Sequence, residues 1–250
     1  MLAHPYCAAT NPQNYLTHFM RTTFHAMVDF NSHLFLGPDT YRILLCSSPF
    51  YGMGRIVDAP THNYFYDKKK HRNIRGVAPV FKYSVDPLMA VGFTTLIGLQ
   101  FFSHDEHTRA VSNTFLAALP FLWIYKDIIK EIPFKGSLRP KNGCFSPCKK
   151  YYGGFPSGHM FEVVFMASLF GAELGRDYAI PLAAFATLVT IQSVAINRHT
   201  TSQVVAGAAL GCMFAAASRK VIHHALYSNN RYGISVSGSG SPRFTYERLF

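Results

Sequence analysis

From Pro87 onward the chain alternates apolar blocks with short polar joints, the blocks spanning residues 88–102, 111–129, 160–174, 178–196 and 204–217. Several fall short of the roughly 20 residues that cross a bilayer unaided, but each reaches that length once its flanking polar or aromatic residues are counted. The pattern predicts an all-α fold, a membrane helical bundle of about five spans. A soluble bundle with buried helices is the alternative. Pro120 and Pro181 lie inside apolar blocks, as packed membrane helices tolerate. Gly207 and Gly211 form a small-xxx-small pair suited to close helix contact. Residues 1–86 are patterned differently, being aromatic and polar and broken by prolines at 38, 49, 60 and 79. Within them, Leu16, Phe19, Met20, Phe24, Met27 and Phe30 recur near helical spacing. That predicts an amphipathic, interfacial helix over residues 14–30, lying on a membrane surface or capping the bundle. The run from Lys68 to Arg75 reads as a basic loop. After Ala217 the chain turns basic and polar. Three parts follow: an N-terminal amphipathic and basic-loop region (1–86), a helical core (87–217) and a polar flexible tail (218–250). No repeat and no strand of consequence is apparent.

Composition sharpens this picture. Charged residues are 15%, against about 25% in soluble domains, and hydrophobic residues are 49%. The shortage of charge favours multi-pass integral membrane placement. Mean hydropathy of +0.09 shows that polar segments dilute the spans. The net charge of +11 calls for anionic partners. Phosphates and acidic lipids qualify, whereas no zinc-finger spacing, RNA-recognition signature or helix-turn-helix pattern supports nucleic acid. The start, Met1 to Pro5, lacks a basic stretch followed by a long apolar run, so membrane entry is expected through internal spans. Cys144 and Cys148 fit a local disulfide or two thiols equally.

The chemistry concentrates at the block ends. Lys130, Lys135 and Arg139-Pro140 follow the second block, where Pro133 and Gly136 end any helix. Arginine's planar fork suits a phosphate. Pro156-Ser157-Gly158-His159 opens the third block, so the helix N-terminus offers backbone N–H groups to an anion. Ser157 is either a phosphate ligand or a plain N-cap. Asn197-Arg198-His199 closes the fourth block. Two crossings separate the histidines, so both reach one face. His104-Asp105-Glu106-His107 reads as a solvated turn rather than a metal site, and no metal is assigned. Glu162, one turn beyond His159, either supports that histidine or faces a neighbouring helix.

The order Arg139-Pro140, Pro156-Ser157-Gly158-His159, then Arg198-His199 resembles the type 2 phosphatidic acid phosphatase and vanadium haloperoxidase superfamily over roughly residues 87–217. Its signatures run Lys-x6-Arg-Pro, Pro-Ser-Gly-His and Ser-Arg-x5-His-x3-Asp. The resemblance implies a metal-independent lipid-phosphate phosphatase without cofactor, with membrane lipids as partners. It makes His199 the nucleophile that becomes a phosphohistidine, and His159 the acid for the departing oxygen. Lys130 or Lys135, Arg139, Ser157, Gly158 and Arg198 would hold the phosphate. Three positions depart from the signatures. Ile132 stands where the first lysine belongs, Gln192-Ser193 replaces Ser-Arg, and Gln203 replaces the aspartate that orients the nucleophilic ring. Gln203 is therefore grouped with the catalytic residues as a charge-free orienting group. That exchange motivates two other readings, transfer of a phospho-headgroup between lipids and a non-catalytic scaffold that binds anionic lipid.

Sidedness is contested. Residues 68–86 and 130–159, on the expected active face, carry six Lys and Arg each, against seven across 103–109, 173–178 and 218–250. The positive-inside rule puts that face in the cytoplasm. The resemblance implies the exoplasmic side, which is the expectation adopted.

Overall fold

The computed structural model describes residues 25–67, 72–73, 78–134, 136–140, 153–227, 230–236 and 242–248. Helix α1 runs through residues 25–36. It is followed by α2 (Pro38–Phe65), α3 (Ala78–Phe102), α4 (Glu106–Glu131), α5 (Gly158–Leu174), α6 (Arg176–Ala195) and α7 (Thr201–Tyr227). The body is helical. Two antiparallel hairpins accompany it, β1 (Tyr66–Asp67) with β2 (Arg72–Asn73), and β3 (Asn230–Val236) with β4 (Pro242–Arg248).

Helix α5 forms the centre, with nine of its 17 residues buried. Phe161 and Phe165 meet Phe214 of α7 at centroid distances of 4.8 and 5.8 Å, and Phe165 stacks on Phe115 of α4 at 4.8 Å. Phe30 of α1 closes the cluster against Phe214 at 5.3 Å. Each such ring removes a large apolar area from water.

Helices α5 and α7 approach closely because α7 offers glycines there. A methyl group on Gly207 would stand 2.5 Å from the Ser157 carbonyl oxygen, and one on Gly211 would stand 2.8 Å from backbone atoms of Phe161 and Phe165. Alanine would ordinarily favour a helix over glycine by roughly 1 kcal/mol. At position 207 the clash with fixed backbone outweighs that gain, since overpacking costs about 1–3 kcal/mol. Gly207→Ala is therefore expected to lower the thermal midpoint of the purified protein. An unchanged or raised midpoint would mean that the two helices part easily.

Helices end where their sequence dictates. Asp105 caps α4, accepting from the Thr108 N–H at 2.8 Å, so the His104–His107 stretch is a helix start. Gly175, at φ +89°, turns the chain directly from α5 into α6. A side chain there would strain the backbone.

The N-terminal region differs from expectation. The prolines at 49 and 60 were expected to interrupt it, yet both lie within the 28-residue α2. Packing against α7 holds the helix through them, with Lys220 Nζ 3.5 Å from Asp39 at one end and Asp58 bonded to Ser202 at the other. The two helices therefore run antiparallel. On its outer side α2 exposes Leu44, Leu45, Phe50, Met53 and Ile56. Of the amphipathic stretch expected over 14–30, residues 25–30 are helical and the rest lie outside the described residues, as does most of the basic run after Asp67. At the other end α7 continues ten residues past Ala217 and the chain then pairs as β3–β4, where a flexible tail was expected. The register pairs Tyr232 with Tyr246 and Ile234 with Phe244. The alternation of Tyr232, Ile234 and Val236 with polar neighbours is the period-two signal of a strand.

Among the described residues three helices are long and apolar enough to cross a membrane, over Val85–Phe102, Arg176–Ala195 and Thr201–His224. Only 17% of the first window and 22% of the second is buried within the protein, so most of that apolar surface needs a nonaqueous neighbour. Helices α4 and α5 do not join this set. The last turns of α4 carry Lys126, Asp127 and Lys130, and 17 residues of α5 span only about 26 Å at the helical rise of about 1.5 Å per residue.

Candidate active site

Three chain segments that lie far apart in sequence bring their polar ends to one place: the last turns of α4, the start of α5 and the α6–α7 loop. Lys126 and Lys130 are one turn apart on α4 and share a face. Both cover the α5 N-terminus, because a methyl group on Gly158 would lie 3.0 Å from Lys126 Cδ and 3.6 Å from Lys130 Nζ. Glu162 faces α4, accepting from Trp123 Nε1 at 3.0 Å with Lys126 Nζ 3.6 Å away. Ser157 starts α5 but makes no side-chain cap, and its buried hydroxyl has no partner among the described residues.

The α6–α7 loop is fixed by its backbone. Asn197 adopts φ +56°, a left-handed conformation that asparagine tolerates. Its side chain is held by His62 Nδ1 of α2 at 2.9 Å. The N–H groups of Arg198 and His199 then both donate to the Ser193 carbonyl, at 3.0 and 3.1 Å. Asp58 caps α7, taking the Ser202 N–H at 2.9 Å and its hydroxyl at 2.6 Å. His199 is left 4% exposed. Its Nδ1 lies 2.8 Å from the Gly154 carbonyl oxygen. A carbonyl only accepts, so Nδ1 carries the proton and Nε2 keeps its lone pair.

Gln203 does different work from that expected of it. Its Nε2 donates to the carbonyls of Gly136 at 3.1 Å and Leu138 at 2.7 Å, and its Oε1 accepts from the Thr200 N–H at 3.2 Å. Its main-chain carbonyl takes the Ser157 N–H at 3.1 Å. The side chain therefore pins the loop that carries Arg139, and the ring of His199 is oriented by Gly154 instead. A carboxylate could not make this clamp, because it has no proton to give to two carbonyls. Gly154 is confined too, since a methyl group there would sit 2.7 Å from Gln203 Nε2 and 2.9 Å from the Arg139 nitrogen.

The electrostatics tie the site together. Burial, then the neighbouring Arg198, lowers His159 to about 4, with Asp86 opposing and Lys130 and Lys126 adding to the depression. Burial lowers His199 to about 3, against its bond to Gly154 and with Arg139, Lys130 and Arg198 reinforcing. Lys130 falls to about 8, chiefly through burial and then repulsion from Lys126 and Arg139. Arg139 is lowered by burial and by Arg198. Both imidazoles thus feel Arg198 and Lys130, and both are held in the neutral form at pH 7.

A stability prediction follows from the sign of these shifts. Histidines of the unfolded chain titrate near 6.5, so below that pH the unfolded state binds more protons and the folded state loses ground. Each ring contributes a slope of up to about 1.4 kcal/mol per pH unit as pH falls from about 6.5 towards its folded value. The thermal midpoint is expected to drop between pH 7 and 5, and to drop less steeply in His199→Gln. A flat profile in the unsubstituted protein would show both rings charging freely.

Of the residues singled out in the sequence, Lys130, Arg139, Ser157, Gly158, His159, Arg198 and His199 meet here. Lys135, Cys144 and Cys148 lie outside the described residues. Sequence reasoning missed Lys126, Asp58, His62, Gly154 and Asp86, the last with Oδ1 3.4 Å from His159 Nε2. Only Lys126 had a usable signal, its spacing of four from Lys130. Comparison with family models matches residues 124–227 to the PAP2 superfamily. No curated protein and no solved structure matches the chain.

Proposed function

We propose, from the match of residues 124–227 to the PAP2 superfamily, a family of phosphatases, that the chain is a membrane lipid-phosphate phosphatase working through a phosphohistidine. The observation that carries the reading is the pair of imidazoles at one cationic end of the bundle, with His199 Nδ1 committed to the Gly154 carbonyl so that Nε2 is left to attack, and with Lys126, Lys130, Arg139 and Arg198 around them.

In the first step the His199 Nε2 lone pair attacks phosphorus and the phosphorus–oxygen ester bond breaks. The departing oxygen keeps the electron pair and takes a proton from His159. In the second, water attacks the phosphohistidine, loses its proton to His159 and releases inorganic phosphate, returning His199 to its starting state. Burial and the neighbouring cations hold His159 neutral. A phosphate dianion offsets the arginine and lysine charges that depress it, so substrate binding itself arms the acid. The cations hold the equatorial oxygens, where charge concentrates as the ester breaks. The unpartnered Ser157 hydroxyl and the α5 N-terminus are ready-made donors for the same oxygens.

Apolar helix surface beside this cationic end suits an amphiphile with a phosphate head, which is the basis for a lipid substrate, and the three long apolar helices are the basis for a membrane home. The active face is assigned to the exoplasmic side. Labelling a cysteine introduced at Leu138 with a membrane-impermeant reagent in intact cells tests that side, and protection from the reagent would reverse it.

The deciding experiment is release of inorganic phosphate from a panel of lipid phosphates in chelator-treated buffer, with and without vanadate. Vanadate-sensitive release is expected. An added alcohol that becomes phosphorylated in place of release would redirect the reading to phosphoryl transfer. No turnover with any substrate would overturn it.

A further inference from the structure

The site contains a carboxylate that its sequence signatures do not account for. Asp86 lies on α3, in a segment that contributes nothing to the three motifs. Its Oδ1 is 3.4 Å from His159 Nε2 and 4.0 Å from the Arg198 guanidinium. One oxygen thus stands between the proton-donating ring and an arginine of the phosphate pocket. The bridging oxygen of a phosphate ester needs that same position, close to the acid and beside a cation. The Asp86 side chain is 66% exposed, against 21% for His159, so it is lightly held and free to turn away when a ligand arrives.

We propose that Asp86 is the positioning residue of the general acid and an internal competitor of the substrate phosphate, standing at the leaving-oxygen position through His159 and Arg198. The inference rests on the phosphatase reading given above and adds to it a residue and a trade-off. A negative charge beside His159 favours its protonated form and disfavours an anion on Arg198. The same charge therefore helps turnover and hinders binding. The other charged groups facing His159 are Lys126 and Lys130 from α4 and Arg198 from the α6–α7 loop. All three are cations, and because Glu162 is turned to Lys126 and Trp123, Asp86 is the carboxylate that meets the His159 ring among the described residues. Its position also bears on Gln203, which brings no charge to the site. The carboxylate here serves the acid rather than the nucleophile, whose ring a backbone carbonyl already orients.

The test is Asp86→Asn in the full-length protein, with Asp86→Glu as the conservative control. Vanadate and inorganic phosphate are titrated into each protein, and the pH profile of kcat is measured on a lipid phosphate. Asp86→Asn is expected to bind both anions about 3- to 10-fold more tightly while kcat falls about 10-fold, and to lose activity about one pH unit earlier on the alkaline side, where the acid gives up its proton. Asp86→Glu is expected to recover most of kcat and of the pH profile. A purely structural role would weaken anion binding or leave it unchanged, and either result overturns the proposal. If the unsubstituted protein releases no phosphate from any lipid, the phosphatase reading fails on its own. The anion titrations still judge Asp86 in that case. Turnover with unaltered vanadate affinity and pH profile in Asp86→Asn would sink the inference and leave the phosphatase reading standing.

Discussion

Replacing His199 with alanine is expected to lower lipid-phosphate hydrolysis on the order of 10⁵-fold, the scale reached when a covalent nucleophile is removed. The size of the loss follows from geometry. His199 is almost fully buried, its Nδ1 is committed to the Gly154 carbonyl, and Nε2 is the one ring atom with a lone pair to give. Removing it leaves Lys130, Arg139 and Arg198 in place, so vanadate or phosphate binding is expected to change by less than about tenfold, as for a group whose main work is in the transition state. Assay of kcat alongside anion titration separates the two effects. A variant retaining a tenth of the activity would disqualify His199 as the nucleophile. Brief incubation with radiolabelled substrate, followed by alkaline denaturation, is further expected to trap label on the unsubstituted protein and none on His199→Ala.

His159→Ala is the second large effect, and it depends on the substrate. For an alkyl lipid phosphate the departing alkoxide is strongly basic and needs a proton as it leaves, so kcat is expected to fall about 10²- to 10⁴-fold. For an aryl phosphate with a weakly basic leaving group the same substitution is expected to cost far less. That contrast is a signature of proton donation that loss of folding cannot imitate, since a misfolded variant fails on both. Equal losses on the two substrates would mean that His159 only shapes the pocket. The phosphohistidine should also persist longer in this variant with either substrate, because His159 takes the proton from the attacking water.

How much of the site was legible depended on how local each contact is. Ser157, Gly158 and His159 are consecutive, and a helix start fixes their mutual geometry whatever surrounds them. Arg198 and His199 are fixed by a turn whose anchor, Ser193, is only a few residues away. Lys130 was legible as a candidate because helix α4 ends at Glu131, just before Pro133. Lys126, a turn earlier, points to the same place for the same reason, and the missing lysine at Ile132 matters less than the signature suggests. Gln203 was legible as a departure but not as a clamp. Its partners, Gly136 and Leu138, are more than sixty residues away in sequence and offer carbonyls that no pattern of residue types reveals. The fold divides the same way. The apolar blocks between residues 88 and 217 became helices, whereas α2 was obscured by prolines that its contact with α7 overrides.

The sequence by itself determined the helical blocks, the positions of the charged and histidine motifs at their ends and the resemblance of residues 124–227 to the PAP2 superfamily, because each of these is written in short-range periodicity and adjacent residues. The tertiary structure alone decided which groups stand beside the two imidazoles. Asp86, Asp58 and His62 reach the site from segments distant along the chain, Gly154 meets His199 across a separation of 45 residues, and their roles come from charge and hydrogen-bond geometry that exists only once the helices have packed.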